Sequence, residues 1–243
     1  MVVKKSMLEY FSQIYQGGFG PPPLAELVKI PDQLVQVYVS WRTLTIIGRM
    51  KKFRPNNMKS IVTQYRPGRL QYISNKYNVP PLWLLKRLAR TRQEKLNDAK
   101  LSKDLRFAVD NDISSAKWLR KESTASKDFE DRVGQWLTEH KILYIDEEKL
   151  KEEQIREYGR AIATPDFLLK KPIVISGQTI HWIDAKNYIL FDSFLLEHVK
   201  KQAQRYNNLF GNGALIFSMG VVENVTIPST LVLDAREILG SQL

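Results

Sequence analysis

Hydrophobic positions recur every three to four residues through the first half of this 243-residue chain, then nearer to every second residue over much of the remainder. The first half therefore reads as helices. Met7–Tyr15 is a short amphipathic segment, and the GGFGPPP stretch over Gly17–Pro23 is a loop that neither helix nor strand accommodates. Leu24–Ile30 is a second short helix. Pro31 marks the start of a longer one, where its missing N–H costs nothing, running towards Met50. A break at Arg54–Asn57 precedes another short helix, closed by Arg66-Pro67-Gly68. Next comes a helix with Leu70, Ile73 and Tyr77 on one face and a turn at Asn78-Val79. A proline-started helix follows, directing Leu82, Leu85 and Leu88 inward.

Polar, helical sequence continues to about Lys121, and Ser123–Ser126 (STAS) has linker composition. The same stretch supplies an N-cap for a helix over Lys127–His140, whose Phe129, Val133, Trp136 and Leu137 form an apolar stripe. Strands are predicted over Ile142–Ile145, Thr164–Leu169, Ile173–Ile175, Thr179–Ala185, Ala214–Met219 and Val225–Leu233, interrupted by a helix over Ser193–Phe210. The expected organisation is a helical domain over residues 1–122 and a mixed α/β domain over 123–243, the latter long enough for its own core.

Charge divides the chain in the same place. The net charge of +11 is uneven: residues 1–125 hold 23 Lys and Arg against 9 Asp and Glu, residues 126–243 hold 14 against 17. Between Asp32 and Glu94, 61 residues carry 13 basic side chains and no acid. A polyanion suits such a segment, because Lys and Arg that contact phosphates release condensed counterions. Lys86, Arg87, Arg90 and Arg92 stud the proline-started helix, and Lys51 and Lys52 add to the basic surface. Together with the preceding helix and turn they form a helix-turn-helix-like pattern. An ordinary helical hairpin within a bundle fits the same residues, since the turn lacks glycine. Phosphate contact is the inference common to a nucleic-acid role.

Absent residues exclude other chemistries. With no cysteine there is no disulfide framework, Cys-based zinc site or cysteine nucleophile. His140, His181 and His198 lack close-spaced ligand partners. The first residues carry no apolar signal core, and no apolar run reaches the roughly 20 residues that span a bilayer. The expectation is an intracellular protein without a membrane segment, in the cytoplasm of a prokaryote or the nucleus or cytoplasm of a eukaryote.

Acids inside strands carry the candidate chemistry. Asp166 lies in Thr164-Pro165-Asp166-Phe167, and Asp184 in His181-Trp182-Ile183-Asp184-Ala185-Lys186. Side chains alternate along a strand, so Asp184 and Lys186 share a face and His181 takes the other. Two carboxylates from neighbouring strands offer hard oxygen ligands to a divalent cation. Such a cation polarises a phosphate and lowers the pKa of a bound water. A lysine beside it orients or deprotonates that water and offsets charge at phosphorus. The same residues admit structural roles: Asp166 as a turn cap, Asp184 and Lys186 as a surface ion pair on an edge strand.

The spacing Pro-Asp, 17 residues, Asp-x-Lys resembles the PD-(D/E)XK nuclease superfamily. Thr164-Pro165-Asp166-Phe167, the Asp184-Ala185-Lys186 strand and Tyr-Ile-Asp-Glu-Glu-x-Leu at Tyr144–Leu150 look like its TPD-motif family. That resemblance implies a restriction-endonuclease-like mixed sheet flanked by helices, preceded by an all-α, helix-turn-helix-like N-terminal domain. It implies a Mg²⁺- or Mn²⁺-dependent nuclease in which Asp166, Asp184 and the Ala185 carbonyl hold the metal and Lys186 assists the water. Glu130 would be the additional acid from the preceding helix. Gln202 and Tyr206 match the Gln-x-x-x-Tyr element and would shape the wall of the site. Glu130 also fits a solvated helix position, Gln202 and Tyr206 fit core packing, and the acidic cluster Asp146, Glu147 and Glu148 fits either an added metal ligand or, better, a solvated loop. DNA is favoured over RNA as substrate, and a protein partner of the codanin type is implied only for an animal source. The contrasting reading is a catalytically idle nucleic-acid-binding or partner-recruiting protein on a nuclease fold.

Overall fold

The computed structural model describes residues 2–52, 58–95, 98–113, 116–191 and 193–240. They form two compact units, one over residues 11–123 and one joining residues 1–10 to 124–243. In chain order the elements are β1 (Val2–Val3), α1 (Lys5–Ile14), α2 (Leu24–Leu27), α3 (Asp32–Lys52), α4 (Met58–Gln64), α5 (Leu70–Tyr77) and α6 (Pro81–Arg92). They continue with α7 (Ser102–Asn111), α8 (Ala116–Glu139), β2 (Tyr144–Asp146), α9 (Glu147–Tyr158), β3 (Phe167–Ile175) and β4 (Gln178–Lys186). The chain then runs through α10 (Ser193–Phe210), β5 (Gly213–Phe217), β6 (Val221–Val222), β7 (Thr230–Asp234) and α11 (Arg236–Leu239). The expected break at Arg54–Asn57 lies outside the described residues.

In the first unit α5, α6 and α7 pack on one another around Ile61, Leu70, Ile73, Leu85, Leu88 and Ala108. Asn78 takes a left-handed conformation and turns α5 into α6, a role Asn fills without glycine because its short polar side chain tolerates that region. Buried acids stitch this unit together. Asp104 accepts the Tyr65 hydroxyl (2.6 Å) and the backbone N–H groups of Gly68 (2.7 Å) and Leu70 (3.3 Å), capping the start of α5. Asp112 accepts the Leu82 N–H at 2.8 Å in the first turn of α6. Glu26 accepts the Tyr38 hydroxyl at 2.6 Å and pairs with the buried Arg42 guanidinium at 3.4 Å.

The second unit is built on a five-stranded sheet in the order β2-β3-β4-β5-β7. β3 runs antiparallel to β2 and β4, while β5 is parallel to both β4 and β7. One face carries Phe167, Leu169, Ile183, Ala214 and Ile216 against Phe129, Val133 and Leu137 of α8. The opposite face carries Trp182, Leu215 and Phe217 against Val199, Ala203 and Tyr206 of α10. The alternation in β4 thus sends Ile183 to α8, and Trp182, Asp184 and Lys186 to the α10 side. A separate two-stranded parallel pair joins Val2 and Val3 to Val221 and Val222.

Several details differ from the sequence expectations, among them the strand expected over Val225–Leu233, which is confined to β7, Thr230–Asp234. Ser123–Ser126 is helical, inside α8, because no glycine or proline interrupts that helix before Gly134 and Lys127 supports it through ion pairs to Glu130 and Asp131. The two expected strands over Thr164–Leu169 and Ile173–Ile175 are one, β3, whose register with β4 shifts between Leu168 and Ile173. Pro172, which cannot donate to a ladder, sits in that irregularity. Glu147 and Glu148 open a helix rather than a loop. Asp146 caps α9 by accepting the Lys149 N–H at 2.8 Å, and the acids lie in its first turn, where the helix dipole favours them.

Candidate active site

Asp184 sits on the central strand β4, 1% exposed, so its pairing with Lys186 is a buried ion pair and not a surface one on an edge. Apart from the Lys186 ammonium, Asp184 Oδ2 has no hydrogen-bond partner among the described residues. Asp166 stands just before β3, next to β4, and its Oδ2 accepts the Ala185 N–H at 2.6 Å. That bond sets the carboxylate of one strand against the backbone between the acid and the lysine of the other. The structure therefore brings Asp166, Asp184 and Lys186 together.

Their charges are interdependent. Burial, then the negative charge of Asp184, pushes the Asp166 carboxyl well above the usual carboxylate range, against the opposing pull of Lys186 and the Ala185 N–H. Burial draws the Lys186 ammonium downward, but Asp184, Tyr188 and Asp166 outweigh it and hold its pKa above the ordinary lysine value. Lys186 is thus an ammonium at neutral pH, with no lone pair to accept a proton.

Two supports hold the loop that delivers Asp166. Gln202 Nε2 donates to the Tyr206 hydroxyl at 2.8 Å, and that hydroxyl donates to the Thr164 carbonyl at 3.2 Å. Residues four apart on α10 thereby tie the helix to the Thr-Pro-Asp turn. Burial and the nearby Asp184 charge raise the Tyr206 pKa, so it stays a phenol. On the other side Gln154 of α9 was missed by sequence reasoning. Its buried amide donates to the Ala163 carbonyl (2.6 Å) and accepts the N–H groups of Ile162 (2.7 Å) and Ala163 (3.0 Å). A lone uncharged glutamine among the Glu, Lys and Arg of that segment is the signal that could have found it. At the far end of β4, the Ser218 N–H donates to the Lys186 carbonyl at 3.0 Å and fixes the strand terminus.

Glu130 stands apart. It projects from α8, which covers the other face of the sheet, and its carboxylate pairs with Lys127 at 2.8 Å. Its negative charge adds only weakly to the rise in the Asp166 pKa. With Asp131, Tyr144, Asp146, Glu147 and Phe167 it lines a cavity of about 530 Å³ that does not include Asp166, Asp184 or Lys186. Among the described residues no three His, Cys, Asp or Glu side chains converge as a metal cage. Two carboxylates remain, and they suit a hard divalent cation: one buried oxygen lacks a partner besides an ammonium, and the two acids repel each other. Mg²⁺ in particular takes one or two carboxylates and completes its shell with water and phosphate oxygens.

Of the expected nucleic-acid contacts, Lys86, Arg87 and Arg90 lie exposed on α6. Arg92 is half-buried, and its Nη2 donates to the carbonyls of Val62 (2.6 Å) and Tyr65 (2.8 Å), so it closes α4 instead of facing a ligand. The side chains of Lys51 and Lys52 lie outside the described residues. Among the described residues no helix is long and apolar enough to cross a membrane.

Residues 97–236, more than half of the chain, match the family model described as "Protein of unknown function TPD sequence-motif". An uncharacterized protein of Acanthamoeba polyphaga mimivirus is 40% identical over 118 residues, 46% of this chain and 41% of that protein. CDAN1-interacting nuclease 1 of Xenopus laevis is 31% identical over 91 residues, 37% of this chain and 28% of that protein. The Homo sapiens protein of the same name is 29% identical over 89 residues, 37% of this chain and 30% of its own length. The matched segments thus span less than half the length of these relatives. No solved structure matches the chain. The match over both the Thr-Pro-Asp turn and the Asp-x-Lys strand places the chain in a family: it belongs to the TPD sequence-motif family.

Proposed function

We propose that the chain is a metal-dependent nuclease of the PD-(D/E)XK type that hydrolyses phosphodiester bonds, with DNA the favoured substrate. The observation that carries this reading is the Asp166 carboxylate bonded to the Ala185 N–H, between a buried Asp184 and Lys186. A hydrophobic protein interior does not retain two repelling carboxylates and an ammonium without a use that offsets their desolvation. Vertebrate relatives bearing the name nuclease support the same class, and the helix-flanked mixed sheet agrees with a restriction-endonuclease-like fold.

Asp166 and Asp184 would hold Mg²⁺ or Mn²⁺, which when bound polarises the scissile phosphate and acidifies a water. The Ala185 carbonyl would complete the protein's share of the ligands. Lys186 orients the attacking water and offsets charge gathering at phosphorus; as an ammonium it does not serve as the base. Tyr206, Gln202 and Gln154 are positioning residues that hold the Thr164–Asp166 turn. Glu130, engaged with Lys127, acts on the site through its field and ordered water. In the basic unit, Lys86, Arg87 and Arg90 supply phosphate contacts.

A panel of end-labelled single-stranded, duplex and branched DNA, with RNA alongside, incubated with Mg²⁺, Mn²⁺ or EDTA tests this. Cleavage in either metal and none in EDTA is the expected result. Salt-sensitive binding of the panel without cleavage in any metal would assign the chain to the idle, binding-only class.

A further inference from the structure

Tyr72 is an aromatic side chain left 57% exposed on α5, in the part of the chain that has no acid between Asp32 and Glu94. Two cations lie over its ring at long range, contacts that an incoming base would displace: the Arg69 guanidinium 5.8 Å from the centroid and the Lys76 ammonium 6.0 Å, the latter nearer the Tyr77 ring at 5.4 Å. Arg69, Tyr72 and Lys76 are spaced by three and four residues, so they line one face of the helix. Lys76 is steadied by a hydrogen bond from its ammonium to Gln64 Oε1 at 2.6 Å, which leaves its charge uncompensated. Several acids of this unit are taken up elsewhere: Glu26, Asp104 and Asp112 are buried in ion-pair and capping contacts, and Glu94 and Asp98 pair with Lys100.

We infer that the Arg69-Tyr72-Lys76 face of α5 is a stacking platform for an unpaired base, with Arg69 and Lys76 on the phosphates either side of it. An exposed ring in water gains by covering its face, and every base presents a π-surface for that purpose. Bases inside a duplex are already stacked on both sides and leave such a ring without a partner. The platform therefore selects single-stranded DNA over duplex, at a position distinct from Lys86, Arg87 and Arg90. This narrows the substrate class of the proposed nuclease and rests on that reading for its biological use, though not for its test.

The test is fluorescence anisotropy of the full chain with labelled oligo(dT) and with a labelled duplex, in EDTA so that no cleavage intervenes. Tyr72→Ala is expected to weaken oligo(dT) binding about 5- to 100-fold, the range for loss of one base–aromatic stack, and to leave the duplex within about twofold. Tyr72→Trp retains or strengthens oligo(dT) binding. Arg69→Gln and Lys76→Gln each flatten the salt dependence of oligo(dT) binding, while Tyr72→Ala leaves its slope unchanged. Equal affinity of Tyr72→Ala and the unaltered chain for oligo(dT), or an equal loss on both DNAs, would overturn the platform. Because no step needs a metal, a chain that never cleaves DNA can still pass this test, so failure of the nuclease reading stays distinguishable.

Discussion

Asp166 Oδ2 accepts the Ala185 N–H at 2.6 Å, so the carboxylate of the Thr-Pro-Asp turn is fixed by the backbone amide lying between Asp184 and Lys186. A backbone donor favours the ionised form, yet burial and the Asp184 charge override it and raise the Asp166 pKa. Two acids that repel each other and an ammonium that attracts both are thereby gathered, and stability and chemistry at this point are linked.

The first consequence is a pH dependence of stability. The folded chain binds the Asp166 proton more tightly than the unfolded chain does. Its contribution is full below the ordinary carboxylate pKa and is lost as pH rises through the raised folded value. Asp166→Asn lacks that loss. In EDTA its thermal midpoint should exceed that of the unaltered protein by a few degrees at pH 9, the gap closing towards pH 4. Added Mg²⁺ or Mn²⁺ should raise the midpoint of the unaltered protein more than that of the variant. Parallel pH profiles in EDTA would exclude this linkage.

Removing one partner of the buried pair should cost more than removing both. Lys186→Met leaves the Asp184 carboxylate buried and unpaired, a loss of about 3–5 kcal/mol by the usual behaviour of such pairs. Asp184→Asn with Lys186→Met should recover a substantial part of it. Urea denaturation of the two single variants and the double variant completes the cycle, and strict additivity would show that the pair is not coupled.

Gln154 uses both ends of its amide on the Ile162–Ala163 backbone. Gln154→Glu keeps the shape and loses the donor to the Ala163 carbonyl, so it should destabilise by about 1–3 kcal/mol despite its near identity in size. If cleavage is observed, kcat should fall with little change in DNA affinity, since the turn that carries Asp166 loosens. A variant as stable and as active as the unaltered chain would remove Gln154 from the support of the site.

Gly213 lies opposite Trp182 in the sheet, and a Cβ there would collide with the indole. The indole is fully buried and its Nε1 donates to the Gly211 carbonyl at 2.8 Å, so it cannot swing away. Gly213→Ala should therefore cost more than about 3 kcal/mol or prevent accumulation of folded protein. Combining it with Trp182→Leu should restore part of the loss relative to Gly213→Ala alone. Normal stability of Gly213→Ala would refute this packing.

The sheet and the three-residue cluster were legible because their signals are local: alternation in β4 put Asp184 and Lys186 on one face, and Pro165 marked the turn at Asp166. α9 was not legible. Its Glu and Lys residues have good helix propensity, but Leu150 and Gln154 are its only buried positions, too few to make an apolar stripe. Glu130 was legible as an acid on the helix before β3, while its pairing with Lys127 depends on the folded helix. Arg92 was misread for a similar reason. Its place on a basic helix suggested phosphate contact, while two carbonyls at the end of α4, nearly thirty residues earlier, take its donors. Serine, threonine and alanine gave Ser123–Ser126 the composition of a linker, yet none of them breaks a helix, and α8 runs through.

The most direct measurement is the cleavage rate of labelled DNA in Mn²⁺ by purified Asp184→Ala and Lys186→Ala, beside the affinity of each for the same DNA in EDTA. Both variants are expected to lose cleavage, by at least about a thousandfold, while affinity in EDTA stays within a few-fold of the unaltered chain. Undiminished cleavage by either folded variant would contradict the assignment.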